Sequence, residues 1–153
     1  MDKNNLLETA RQLKQVSITS ADEYHQKAEQ LISKMNTLMT ERPDIESLVG
    51  ANNIDTMKDN HANHVRFIAS ILKNHDPEVL VETVLWVFRA YRSHGFTTNY
   101  WAAQLNSWII ILKDILTKVC LAEVYPYYEW MQINIPIFVK VSDEKLEAPN
   151  SLL

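Results

Sequence analysis

At 153 residues, with 46% hydrophobic and 22% charged side chains, the chain has the composition of an ordinary globular domain, long enough to bury a core without covalent staples. Its net charge of −4 excludes nucleic acid as the expected main partner, because phosphate neutralisation needs a basic face and the densest basic group (Arg89, Arg92 and His94) is too small to be one. The single cysteine, Cys120, excludes an internal disulfide, and the longest apolar run, residues 108–112, is far too short to cross a membrane. No apolar targeting stretch opens the chain, so the expected location is cytoplasmic.

Only two glycines occur, and hairpins and phosphate loops consume that residue, so an all-α fold is expected. Leu6, Leu7, Ala10, Leu13 and Val16 fall on one stripe and predict an N-terminal helix within residues 1–17. Ser17-Ile18-Thr19 interrupts that stripe. Ser20 and Glu23 then read as a capping box opening a helix to about residue 39, with Tyr24, Leu31, Ile32 and Met35 on its inner face. Pro43 begins a short segment that Gly50 closes.

Helical spacing resumes near residue 53, through Ile54, Met57, His61, Val65, Ile68 and Leu72, and stops before Asp76-Pro77. An aspartate cap followed by a first-turn proline marks the next start. The helix over 77–93 is apolar on several sides, which places it at the centre of the fold or in a subunit interface. Gly95 terminates it, and a threonine opens a long helix over about 98–118 bearing Tyr100, Trp101, Leu105 and Trp108. A last helix, about 121–134, has Pro126 in its first turn and Pro136 at its end. The polar tail 142–153 is expected to fray. No repeat or linker divides the chain, which reads as one domain of about six helices.

His61 and His64 lie three apart and can share a helix face, but a metal site needs further ligands, and neither HExxH nor a suitably spaced glutamate is present. One of the two is expected on the core face with its polar edge satisfied, the other in solvent. His94 at a helix C-terminus is explained by the helix dipole; its functional reading is a ligand-facing imidazole. The aromatic set of Trp86, Tyr91, Phe96, Tyr100, Trp101, Trp108, Tyr125, Tyr128 and Trp130 reads as core. Its functional readings are the wall of a pocket for a flat apolar ligand, or a dimer seam. No GxSxG, Walker, GxGxxG or CxxC motif occurs, so catalysis is not expected.

The helix order over 53–135 resembles the E, F, G and H helices of globins. The stretch 87–91, where oxygen carriers place the proximal histidine, has none; His94 falls at the corner beyond it. Segments 67–72, 88–91, 95–97 and 124–130 are similar to the non-haem globin sensor domains of stressosome scaffold proteins, a likeness covering residues 65–132. The resemblance implies a globin-like bundle without haem, a homodimer formed through the C-terminal helices, and a signal passed to a regulatory protein partner. The expected function is therefore a non-catalytic sensor or ligand-binding domain, with His94, His64, His61, Tyr91, Trp86 and Phe96 as candidate ligand-facing residues. Two alternatives stand beside it: a gas sensor whose haem is held by His94 with His61 or His64 across the pocket, and a small helical metal enzyme built on His61 and His64.

Overall fold

The computed structural model describes residues 2–147, with side chains through Glu144, and every regular element among them is an α-helix. The order is α1 (Lys3–Arg11), α2 (Ile18–Gln26), α3 (Ala28–Thr40), α4 (Ile45–Val49), α5 (Ile54–Lys73), α6 (Pro77–Ser93), α7 (Thr98–Ile115), α8 (Lys118–Ile133) and α9 (Ile135–Glu147). None of them is long and apolar enough to cross a membrane.

Nine helices rather than about six arise among the described residues because the helix expected over 20–39 is divided, the short segment after Pro43 forms α4, and a further helix starts at Ile135. Ser17, not Ser20, caps α2, accepting from the Ser20 amide, so the stretch read as an interruption is the helix start. The single helix expected over 20–39 breaks at Lys27, whose ammonium reaches both the Glu23 carboxylate (3.0 Å) and the Ile115 carbonyl (2.9 Å). That break lets α2 pack on α5 and α8 while α3 packs on α5 and α7.

The middle of the chain follows its local signals. Asp76 caps α6 with Pro77 in the first turn, where a missing N–H costs nothing. Thr97 precedes α7 in extended backbone. Gly50 (φ +90°) and Gly95 (φ +101°) both take left-handed backbone, and they face one another: a Cβ on Gly50 would lie 3.4 Å from the Gly95 carbonyl oxygen and 3.2 Å from Nδ2 of Asn53. That Asn53 amide ties the corner together, donating to the carbonyls of Val49 and His94, each at 2.7 Å.

At the C-terminal end α8 starts at Lys118 behind a Thr117 cap, so Pro126 lies inside the helix and not in its first turn. Asn134 ends α8, donating back to the Trp130 carbonyl at 2.8 Å, and Pro136 sits at the start of α9. Helix persists to Glu147 over the stretch expected to fray from Ser142, because α9 has a buried face of Phe138, Val141 and Ser142 and an ion pair from Asp143 to Arg92 of α6. Residues 148–153 of the expected tail lie outside the described residues.

One hydrophobic core runs through the helices, with Trp108, Tyr24, Tyr100, Tyr128 and Phe138 fully enclosed. Helix α6 is not buried all round. Leu80, Val81, Val84, Leu85 and Phe88 face inward, whereas Val79 and Trp86 are 46% and 57% exposed.

Candidate functional site

Consecutive helices α5 and α6 do not pack side by side; α6 lies on α1 and α9, and α5 on α2 and α3. The wedge between them is a cavity of about 200 Å³ whose walls are completed by Trp101, Gln104 and Leu105 of α7 and Met131 of α8. Its surface is mainly aromatic and aliphatic. Asn60, Asn63, His64, Thr83 and Gln104 supply polar atoms, and among the described residues no Lys, Arg, Asp or Glu side chain lines it.

Polar side chains behind the wall are hydrogen-bonded in two sets. Asn60 Oδ1 accepts from the Tyr100 hydroxyl (2.8 Å) and from Gln104 Nε2 (2.6 Å), joining α5 to α7. His64 Nε2 lies 2.8 Å from the Tyr128 hydroxyl, which lies 2.6 Å from that of Tyr24, so α5, α8 and α2 share a chain of three polar groups. The His64 ring is stacked on Trp108 with centroids 4.9 Å apart and planes inclined by 22°. Burial, with a smaller contribution from neighbouring His61, lowers its pKa to about 3, so the ring is neutral at physiological pH. Burial raises the pKa of both tyrosines, keeping them protonated.

Of the six expected site residues, His64, Tyr91 and Trp86 line the cavity. Phe96 is buried behind Tyr91, in edge contact at 5.2 Å. His61 lies in the core, where its Nδ1 donates to Asn36 Oδ1 at 2.7 Å, Nε2 has no partner, and burial lowers its pKa to about 3. Of the histidine pair expected to divide between core and solvent, His61 is fully enclosed and His64 is half-buried, hydrogen-bonded to Tyr128 and stacked on Trp108. His94 is the exposed C-cap of α6 and is not part of the cavity wall.

Haem does not fit this arrangement. The His94 ring is at the surface, His64 Nε2 is engaged by Tyr128, and a space of about 200 Å³ falls below the range of roughly 300–1,000 Å³ usual for drug-sized ligands. Tyr91 is the one α6 side chain on the cavity of a type that can hold haem iron, and its ring is in edge contact with Phe96 and Trp101.

Sequence reasoning missed Asn60 and Gln104 as cavity residues, and it read Tyr24 and Tyr128 as helix-face and aromatic-set residues without joining them to His64. Tyr24 and Tyr128 lie 40 and 64 positions from His64, and no local pattern joins them to it. Comparison of the chain with protein-family models, curated proteins and solved structures finds no match.

Proposed function

We propose that the chain is a non-catalytic sensor domain of globin-like architecture that binds a small ligand between α5 and α6, works as a homodimer, and signals by contact with a regulatory protein. The observation that carries this reading is the uncharged cavity wedged between α5 and α6, closed by α7 and α8 and bordered by the neutral His64. In the helix correspondence with globins that is the space between the E and F helices. Among the described residues the cavity wall has no Ser, Cys, Lys or carboxylate, and its side chains of a nucleophilic type are Thr83, Tyr91 and the hydrogen-bonded His64.

Ile110 on α7 and Ile133 at the end of α8 are 63% and 67% exposed, and nearby Asn106 and Gln132 are hydrogen-bonded at 2.6 Å, joining the two helices. This face supports a dimer through the C-terminal helices.

Sedimentation equilibrium at micromolar concentration, native mass spectrometry and a visible spectrum with and without added haemin test the reading together. A dimer, a flat spectrum in both cases and a retained or exchangeable small ligand are expected. A monomer without bound ligand overturns it, and a Soret band lost in His94→Ala supports the haem alternative instead. A metal enzyme on His61 and His64 is disfavoured by their bonding, since the engaged ring nitrogens point to different partners, Asn36 and Tyr128.

A further inference from the structure

We propose that the cavity takes a small, neutral, largely apolar molecule carrying one hydrogen-bond acceptor, and that His64 Nδ1–H is the donor that receives it. This rests on the ligand-binding reading above and adds the chemical class of the ligand.

The proton count along Tyr24, Tyr128 and His64 fixes the tautomer. Both hydroxyls are fully buried, and each must donate to something. If Tyr24 donates to Tyr128 and Tyr128 donates to His64 Nε2, every hydroxyl proton has an acceptor. If instead His64 carried its proton on Nε2 and donated to Tyr128, one phenol proton would be left in the core with no acceptor, a costly state. The first arrangement places the imidazole proton on Nδ1. Stacking on Trp108 at 4.9 Å holds the ring in that orientation.

Nδ1 then looks for a partner that the protein does not supply. Four buried side-chain atoms lack a hydrogen bond, namely His61 Nε2, His75 Nδ1, Trp101 Nε1 and Trp108 Nε1. His64 Nδ1 is not among them and has no bond to a described protein group, so it is open to solvent on a half-buried ring that forms part of the cavity wall. Of the other polar atoms on the wall, Asn60 Oδ1 is taken by both Tyr100 and Gln104, while Asn63 and Thr83 stand beside His64 as further polar groups.

Size and charge set the rest of the class. A cavity of about 150 Å³ lined by apolar side chains accommodates benzene, so about 200 Å³ suits a single ring or a short acyl chain with one polar atom. An ion would enter without a counter-charge, because among the described residues no charged side chain lines the wall.

Acetophenone and ethylbenzene differ by a carbonyl in place of a methylene, and benzoate adds a negative charge to the same ring. Heteronuclear NMR titration of the full chain with each, together with long-range 15N spectra of the histidine rings, provides the test. The expected result is an Nδ1–H tautomer for His64 in the free protein, with acetophenone binding several-fold to about tenfold tighter than ethylbenzene and shifting the His64 Nδ1 signal. Benzoate is expected not to bind. In His64→Leu the preference is expected to invert while ethylbenzene still enters.

An Nε2–H tautomer, equal affinity for ketone and hydrocarbon, or tighter binding of benzoate overturns the inference while leaving a ligand cavity in place. Failure of all three molecules, ethylbenzene included, to enter at millimolar concentration removes the ligand-binding reading itself, and the inference with it. The tautomer is read on the unaltered protein, so the test does not depend on the variant folding.

Discussion

His61 and His64 enter the folded protein uncharged, and that has a cost that depends on pH. Burial lowers both to about 3, whereas an unfolded histidine titrates near 6.5. Between these values the unfolded chain binds protons that the folded chain refuses. Stability is therefore complete above pH 6.5 and falls as pH is lowered toward 3, each histidine withdrawing up to about 1.4 kcal/mol per pH unit. Urea midpoints measured from pH 7.5 to 4.5 are expected to decline steadily, and more shallowly in His61→Gln. Trp108 is the neighbour of both rings and is fully enclosed, so Trp108→Ala is expected to cost about 3–5 kcal/mol in denaturant titration. Its burial was legible from helical spacing alone. The bond between His64 and Tyr128 was not, because the two are 64 residues apart.

At the scale of elements, α2 and α8 cap one another. Glu123 of α8 accepts from the amide and hydroxyl of Ser17 and from the Ser20 hydroxyl, at the start of α2. Glu23 of α2 accepts from the amide (2.8 Å) and hydroxyl (2.6 Å) of Thr117, at the start of α8. Partial burial would raise the Glu23 pKa, but the bonds from Thr117 and Lys27 outweigh it and hold the carboxylate below its ordinary range. Bonds from Ser20 and Ser17 lower Glu123 likewise. Their contribution is full above the ordinary glutamate pKa and is lost as pH falls through the lowered values, adding to acid sensitivity in the lower part of the histidine window. Ser17→Ala is expected to cost about 1 kcal/mol, and its effect in a double-mutant cycle with Glu123→Gln to be strongly non-additive.

The contrast between elements explains what could be read. Helices α5, α6 and α7 were legible to within a few residues because Asp76-Pro77, Gly95 and the following threonine are local signals. The break at Lys27 was hidden, since its cause is a carbonyl 88 positions away. Helix α9 was hidden because Pro136 reads as a helix end, whereas it stands in the first turn of a new helix whose opening residues are apolar.

Over the whole molecule, α9 decides whether α6 stays in place. Phe138 is fully buried against Phe88 of α6 and Trp130 of α8, with ring centroids 5.2 Å and 5.3 Å away. Phe138→Ala is expected to cost about 3–5 kcal/mol and, by loosening α6, to weaken ligand binding in the adjacent cavity; calorimetry and NMR titration of the variant check the two effects. The all-α class followed from glycine scarcity and helical periodicity. The cavity did not, because it lies where two consecutive helices pack mainly on other partners, and no pattern within either helix records that gap.

Both glycines of the chain are spent at a single corner, around one asparagine. For a mutating lineage they count as one locus rather than two. A side chain at position 50 presses on the carbonyl of position 95 and on the Asn53 amide at once, so relief must come from a joint change or not at all. In a saturation library, Gly50, Asn53 and Gly95 should show tolerance profiles that rise and fall together, while the helices around them accept substitutions one by one.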